Sequence, residues 1–397
     1  MFFPTRRVYA PIALLFLGAL LLSLRSDGSP IAPAIPLSKA VARQKITLDD
    51  TRARSWEWRW RLSLLPESQS PYCATGTGED WTIPHLLMAY YYAYRATADQ
   101  QWIDRLDACA DRWISRAEIS PDDYPGWPKT GASGTNVDDL GRLYTESLLG
   151  EAMALRPLVM MARVILEKPD LKAVYGEKAQ NYLRLSRSIF EKWDKRGAWR
   201  RVGEDGMISV VLPLGIDRAS GQWMEGFAVK DTLGHGFSHQ ANKANLIACW
   251  LLAMADATGD PAYRERAGQW FRVMKSRLKR DDAGDAFRLW NYWEPAGEWD
   301  YKGGGAPKHW VGIHPNPGYY GIDAEAMVTA FEHGVVFGAD DIRCLINTAL
   351  KEQRHWPALA PYDSTIRQHF EETLKPEGWE ELRLTPWYLM LAANVPD

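Results

Sequence analysis

Cysteine is scarce in this sequence, and so is any excess of basic charge. Only 4 of the 397 residues are cysteines, and none belongs to a Cys-x-x-Cys or Cys/His spacing, so the cysteines indicate neither a zinc module nor a redox motif. Basic residues number 47 and acidic residues 50. A nucleic-acid-binding protein needs a basic face, so we expect no nucleic-acid partner. The cysteine spacing likewise leads us to expect no metal site.

Clear strand signals and a phosphate-binding loop are also missing. The glycine run Gly303–Gly305 has no Gly-Lys-Ser/Thr ending and no preceding strand, so we interpret it as a flexible turn. The segment Met207–Leu214 alone has strand character and predicts a short hairpin arm.

The N-terminus has the pattern of an export signal. Arg6 and Arg7 precede the apolar run Val8–Leu24, and a stretch rich in Pro, Ser and Ala follows. Ala32-Pro33-Ala34 resembles a cleavage site but lies far beyond the apolar run. A cleaved peptide and an uncleaved membrane anchor therefore remain alternatives. Either one predicts a periplasmic or extracellular body.

We assign residues 1–45 to export and residues 46–397 to one catalytic domain, expected to be a monomer. The first 40 residues hold four basic groups and one acidic group, so the remaining chain carries a net charge of −6. Such a body can still hold a local basic cleft. Cys109 and Cys249 lie inside apolar helical runs, which predicts buried free thiols, and one disulfide is the alternative in an oxidising compartment.

An internal repeat is the strongest structural signal. The segment 96–99 reads Ala-Thr-Ala-Asp, and 257–260 reads Ala-Thr-Gly-Asp. In both copies an almost wholly apolar helix precedes the turn and an amphipathic helix follows it. Asp260-Pro261 supplies an N-cap and a proline at the first helical position. The pattern predicts an inner helix, a tight turn and an outer helix.

Weaker copies of this hairpin predict the fold class. The pairs are Tyr144–Leu166 with Gly176–Trp193 and Asp323–Phe337 with Asp340–Glu352, and Thr385–Ala393 is the last inner helix. Their spacing is less regular than that of an open solenoid. We therefore predict an all-α protein, an (α/α) toroid of helical hairpins.

Aromatic residues are abundant and gather in one of three long connections. The chain has 19 Trp, 17 Tyr and 11 Phe. The connections are Ile119–Leu143, Ala198–Ser238 and Asp281–Gly321, and long connections in compact domains are usually functional. The third carries Trp293, Trp299 and Trp310. These rings either fill the core or line a cleft and stack on sugars.

Three polar clusters stand at predicted inner-helix entrances. The first predicts a helix that begins near Ser238, with Ser238 as its N-cap, and places His239, Asn242 and Asn245 on one face. The second, His314–Asp323, fixes Tyr319 or Tyr320 between prolines and glycines. The third runs from Asn136 to Glu146, and its Arg142 and Glu146 have ion-pair spacing. Capping and packing roles are the structural alternatives, and the His235–His239 spacing is a weak metal signal.

The export signal, the helical hairpins, the aromatic loops and the Asn/His/Tyr/Arg set together resemble the (α/α)-toroid polysaccharide lyases that cleave alginate, glucuronan or related uronate polymers. The resemblance implies β-elimination without a metal or organic cofactor. It implies a catalytic set of His239, Tyr319 or Tyr320, Asn242 or Asn136, and Arg142. The predicted substrate-binding residues are Asn136, Asp139, His235, Lys243, Trp293, Trp299, Trp310 and His314, and Lys230 and Lys308 are further candidates for holding uronates.

The implied chemistry removes the proton next to a uronate carboxylate. Donors such as Asn, His and Arg would stabilise the developing negative charge, and His or Tyr would transfer the protons. The alternative is a glycoside hydrolase on the same toroid, which needs two carboxylates flanking the scissile bond. Its candidates are Asp139, Glu225, Asp231, Asp323 and Glu325. A non-catalytic glycan-binding protein and a uronate epimerase are more distant alternatives.

Overall fold

The computed structural model describes residues 73, 79–128, 143–212, 215–217, 220–224 and 236–373. All of them belong to one compact unit, Leu37–Asp397. No helix within these ranges is long and apolar enough to cross a bilayer. Several predictions lie outside the described residues: the export segment 1–45, Asn136, Asp139, Arg142, Glu225, Lys230, Asp231, His235 and the last helix Thr385–Ala393.

Inner and outer helices alternate along the chain. The inner helices are α1 (Glu79–Thr97), α3 (Leu148–Glu167), α5 (Ala241–Thr258) and α7 (Gly318–Glu332). Each is followed by its outer partner, α2 (Gln101–Ile114), α4 (Pro169–Lys195), α6 (Pro261–Arg277) and α8 (Ala339–Lys351). In each hairpin the inner helix packs against the outer helix that follows it. Successive inner helices pack side by side in the order α1, α3, α5, α7. The protein is therefore all-α, with the hairpin arrangement of an (α/α) toroid.

The inner helices are parallel, which places their N-termini on one rim and their C-termini on the other. Tyr91, Arg163, Asp256 and His333 come from the C-terminal parts of α1, α3 and α5 and the end of α7, and they line one cavity. The rim at the N-terminal ends holds the long connections. α9 (Ser364–Thr373) and two 3₁₀ turns, Glu298–Asp300 and Pro357–Leu359, complete the described helical structure.

The sequence repeat corresponds to a repeated hairpin turn. Thr97 and Thr258 each donate a hydroxyl hydrogen bond of 2.7 Å to the carbonyl four residues earlier. The following residues, Ala98 (φ 56°) and Gly259 (φ 72°), are both left-handed, which ends the inner helix. Asp260 Oδ1 then accepts from the Ala262 amide at 2.9 Å and caps the outer helix.

Short strands occupy the connections. β1 (Glu118–Ile119) pairs with β2 (Pro125–Gly126), and β4 (Trp199–Val202) pairs with β5 (Gly206–Ser209). β3 (Leu143–Thr145), β6 (Gly215–Asp217) and β7 (Trp223–Met224) form a three-stranded sheet in the order β3-β6-β7. Of the predicted arm Met207–Leu214, residues 207–209 belong to β5, and Val210 forms an isolated bridge with Ser238. The inner helix predicted from Tyr144 begins later, because β3 precedes it and the Ser147 hydroxyl caps it by accepting from the Gly150 amide at 3.1 Å.

One disulfide links Cys73 and Cys109, so the prediction of a free thiol at Cys109 is wrong. Burial alone did not reveal that Cys73, 36 residues earlier, lies against α2. Cys249 and Cys344 are buried and belong to no disulfide among the described residues, as predicted for Cys249.

Replacing Cys109 by Ser is expected to lower the free energy of unfolding by about 2–4 kcal/mol, because the open chain gains entropy when the loop is no longer closed. Urea denaturation of the full chain measures the change. Dithiothreitol should lower the stability of the wild type to that of the variant and leave the variant unchanged. A wild type that is insensitive to reduction contradicts the prediction.

Candidate functional site

The rim at the N-terminal ends of α5 and α7 is covered by the connection between α6 and α7. The Ala241 amide donates to the Tyr292 carbonyl at 3.1 Å, which ties the start of α5 to this connection. The Tyr320 hydroxyl donates to the Trp290 carbonyl at 3.1 Å, which ties the start of α7 to it as well. The histidine and tyrosine clusters predicted from the sequence therefore meet at one loop.

A set of stacked rings, called here the aromatic cluster, lies in this loop and at the start of α7. It consists of Tyr292, His309, Trp310, His314 and Tyr319. Tyr292 is nearly parallel to Trp310 (ring centroids 5.8 Å apart) and to Tyr319 (5.3 Å apart). His314 lies 4.6 Å from both tyrosine rings. Trp310 is 45% exposed, so the outer ring of the stack faces solvent.

The predicted tryptophans divide between this surface and the core. Trp293 is fully buried, and its indole N–H donates to the Ser238 carbonyl at 2.9 Å, so it presents no face to a ligand. Trp299 is half-buried and donates to the Ser238 hydroxyl at 2.9 Å. Of the three predicted sugar-binding rings, Trp310 is the one with an exposed face.

The start of α5 differs from the prediction. The helix begins at Ala241, because Ser238 is held outside it: its amide and its hydroxyl donate to the two carboxylate oxygens of Asp300 at 2.7 and 2.8 Å. His239 therefore precedes the helix and does not share a helical face with Asn242. The prediction that Ser238 caps this helix is wrong.

His239 is enclosed and neutral. It is 2% exposed, and its Nδ1 lies 3.0 Å from the Ser209 hydroxyl. Burial, with a further contribution from the Lys243 ammonium, lowers the pKa of His239 to about 3. A histidine with this pKa is a weak base. Its proposed catalytic role remains a prediction, and the surroundings do not favour it.

Asn242 is the most unusual polar residue on this rim. Its side chain is fully buried, and neither amide atom has a hydrogen-bond partner. The neighbouring Gln240 Oε1 is in the same state. Unpaired buried amides are rare and cost about 1–3 kcal/mol each. Both side chains are buried at the start of α5, so neither amide faces solvent.

Asp323 lies at the centre of a buried hydrogen-bond network. Asn245 Nδ2 donates to one carboxylate oxygen at 2.7 Å, and Trp290 Nε1 donates to the other at 2.8 Å. Trp270 Nε1 in turn donates to Asn245 Oδ1 at 2.7 Å, which fixes the amide orientation. Complete burial outweighs the two donors and raises the pKa of Asp323 to about 7.

The raised pKa predicts a stability that falls as pH rises. Because the folded pKa lies above that of the unfolded chain, the folded protein holds an extra proton between about pH 4 and pH 7. The unfolding free energy should therefore drop between pH 5 and pH 8, by a few kcal/mol in order of magnitude, and Asp323→Asn should flatten this dependence. Urea denaturation at both pH values tests it.

Asp122→Asn is the matched control for that experiment. The Arg196 guanidinium holds the pKa of Asp122 at about 2, so Asp122 takes up a proton only at pH values below 4. The control should keep the slope of the wild type between pH 5 and pH 8. Glu151 and Asp107, whose pKa values burial raises to about 6, should keep part of the slope in Asp323→Asn, and a slope as steep as that of the wild type contradicts the assignment.

The third predicted cluster contributes a buried ion network that the sequence did not indicate. Glu146 pairs with Lys192 of α4 (3.1 Å) and with Arg196, the residue that follows this helix (2.5 Å). Its predicted partner, Arg142, lies outside the described residues. Lys192 also binds Glu151 at 2.7 Å, and burial raises the pKa of Glu151 to about 6 despite that ammonium. Lys192 is fully buried and was missed because lysine on an outer helix ordinarily faces water.

The remaining predicted site residues are distributed as follows. Tyr319 and His314 are half-buried in the aromatic cluster. Tyr320 is buried, and its hydroxyl also accepts from the His314 amide at 2.9 Å. Lys243 and Lys308 are half-buried.

No protein-family model and no curated protein matches the chain. Solved structures of two inactive variants of the alpha-1,6-mannanase GH76A of Salegentibacter sp. HEL1_6 resemble it. The complex with alpha-1,6-mannotriose has 12% sequence identity and a TM-score of 0.43, over 84% of this chain and 85% of the mannanase. The complex with alpha-1,6-mannotetrose has 10% identity and a TM-score of 0.33, over 85% and 98%. Likeness at this level does not inform on the site, so the proposals below rest on the residues of this chain.

Proposed function

We propose that this protein is a glycoside hydrolase that acts on a polysaccharide at the rim formed by the N-terminal ends of the inner helices. The observation that carries the proposal is the aromatic cluster, whose parallel rings end in the exposed Trp310. Binding sites of organic ligands are commonly lined by aromatic faces with a few polar groups beside them. The half-buried imidazoles of His309 and His314 supply such groups within the cluster.

The state of the proton-transfer groups favours hydrolysis over elimination. The lyase hypothesis uses His239 with a tyrosine, but His239 is sealed from solvent and its pKa is about 3. The hydroxyl of Tyr320 already donates to one carbonyl and accepts from one amide. His239 is thus buried and the Tyr320 hydroxyl is engaged in two hydrogen bonds within the protein. Carboxylates are therefore the more suitable acid and base.

Two of the five carboxylate candidates are unsuited to contact a substrate on this rim. Asp323 is 2% exposed, with both oxygens hydrogen-bonded. Glu325 lies 3.4 Å from the Arg156 guanidinium, and Arg156 lines the cavity at the other rim. We therefore assign the acid and the base to two of Asp139, Glu225 and Asp231.

The proposed location is outside the cytoplasm. The N-terminal pattern of two arginines followed by an apolar run supports export. The Cys73–Cys109 disulfide is consistent with an oxidising compartment.

The proposal is tested by incubating the protein with neutral polysaccharides, including an alpha-1,6-mannan, and with uronate polymers. Reducing ends and ultraviolet absorbance are followed together. Hydrolysis releases reducing ends without an absorbing product, whereas elimination creates an unsaturated, absorbing sugar. Absorbance that rises with the reducing ends overturns the hydrolase in favour of the lyase. Binding of a polysaccharide without any cleavage contradicts the hydrolase proposal and supports a non-catalytic glycan-binding protein.

Replacing Trp310 by Ala is expected to weaken binding of the cleaved polysaccharide about tenfold, since the exposed ring of the stack is lost. Affinity electrophoresis in gels containing the polymer measures the change. Tyr301→Ala, which removes another exposed ring, is the control and should bind as the wild type does. Equal retardation of the two variants contradicts the role given to Trp310.

A further inference from the structure

A second cavity lies at the opposite rim, among the C-terminal ends of the inner helices. Its volume is about 460 Å³, within the range of small-molecule sites. α5 alone has 18 residues, a length of about 27 Å, so the cavity is well separated from the aromatic cluster. No sequence motif pointed to this place, because its residues come from the far ends of four helices.

Positive charge predominates in the cavity wall. Four of its described lining residues are cationic, and two are carboxylates. The cations are Arg95, Arg156, Arg163 and Lys168, and the carboxylates are Glu167 and Asp256. Cations near helix C-termini also stabilise the helix dipole. Charges that served only the dipole would not need an open space of this size between them.

Both carboxylates are already paired with cations, and Glu167 Oε1 lies 2.8 Å from Arg163 Nε. Asp256 Oδ2 lies 2.8 Å from Arg163 and 2.9 Å from His333 Nε2. His333 Nδ1 faces the Thr329 carbonyl at 2.7 Å, so both ring nitrogens meet acceptors and the imidazole is held as a cation. Burial lowers the pKa of His333, but the Asp256 carboxylate outweighs it and the pKa is raised. Asp256 therefore does not offset the other charges of the wall.

Two cations are fixed by tyrosines. Arg95 donates to the Tyr91 hydroxyl at 2.6 Å, and Lys168 donates to the Tyr94 hydroxyl at 2.9 Å. These hydroxyls orient the cations without adding negative charge. Arg156, 5% exposed, lies deeper in the wall and already pairs with Glu325 at 3.4 Å, so the ligand would meet mainly Arg95 and Lys168. A ligand would meet guanidinium and ammonium groups beside flat aromatic surfaces.

We propose that this cavity binds an anionic sugar, with the charge carried by a carboxylate or a phosphate. Guanidinium groups pair with both anions through parallel hydrogen bonds. The requirement for an anion rests on the charges of the cavity, and the step to a sugar rests on the proposed function. The site is distinct from the rim at which cleavage is proposed, so the two can be tested separately.

The test is isothermal titration calorimetry of the full chain with glucose, glucuronate, glucose 6-phosphate and inorganic phosphate. The three sugars differ only at carbon 6. At least one sugar anion should bind tenfold or more tightly than glucose and inorganic phosphate. Lys168→Gln should weaken that binding about tenfold. Arg343→Gln, on the exposed face of α8, should leave it unchanged.

Trp310→Ala separates this site from the proposed hydrolase site. Binding of the sugar anion should survive this substitution even if polysaccharide cleavage is lost. Sugar anions that bind no better than glucose, or a Lys168→Gln variant with unchanged affinity, overturn the proposal. Inorganic phosphate that binds as tightly as the sugar anions overturns the sugar ligand. Lys168 is exposed, so its variant remains informative if a buried Arg156 variant fails to fold.

Discussion

Replacing Lys192 by Met is expected to lower the free energy of unfolding by about 3–5 kcal/mol, because the change strips a buried ion network of its central cation. The Lys192 ammonium is fully buried and donates to Glu146 (3.1 Å), Glu151 (2.7 Å) and the Pro125 carbonyl (2.9 Å). Glu146 keeps Arg196 in the variant, whereas Glu151 keeps a neutral donor, the Trp193 indole. A buried carboxylate without a cation is the main cost.

Two further variants separate this effect from lost packing. Lys195→Met, on the exposed side of the same helix, should leave the denaturation midpoint nearly unchanged. Adding Glu151→Gln to Lys192→Met should recover part of the loss, since it removes the uncompensated charge. Urea denaturation at pH 7 measures all three. No recovery in the double variant would show that the charge of Glu151 is not the cause.

Loss of the carboxylate pair is expected to have the largest effect on turnover. Among Asp139→Asn, Glu225→Gln and Asp231→Asn, two variants should lower the hydrolysis rate about 10²–10⁴-fold, the contribution of a positioned general acid or base. Binding of the polysaccharide should remain, because each substitution keeps the shape of the side chain. The rate of reducing-end release measures the effect, and the exposed Asp205→Asn is the control.

The same assay distinguishes the rival chemistry. Tyr319→Phe and Tyr320→Phe should keep most of the hydrolysis rate, since neither hydroxyl transfers a proton in a carboxylate mechanism. Activity that persists in all three carboxylate variants and disappears in a tyrosine variant contradicts the carboxylate mechanism and supports the lyase hypothesis.

The helical hairpins could be predicted from the sequence because their signals are local. An inner helix that is apolar on all sides and an outer helix with one apolar face must pack together, and the Thr-Ala-Asp and Thr-Gly-Asp turns supply the caps that end and restart them. The alternation of α5 with α6 and of α7 with α8 follows from these patterns. The concentration of rings before α7 was visible in the same way.

Tertiary structure decided which of the polar residues are accessible. The sequence predicts Ser238 as a helix cap, but its amide and its hydroxyl both donate to the carboxylate of Asp300, 62 residues later. The sequence suggests a catalytic base at His239, but complete enclosure and the Lys243 ammonium lower its pKa. The pairing of Cys73 with Cys109, the burial of Lys192 and the cationic cavity all join residues from separate elements. The sequence by itself determined the hairpins, because helix periodicity and capping act over a few residues. Only the tertiary structure decided the solvation and charge of each side chain, because these depend on partners that the fold brings from distant parts of the chain.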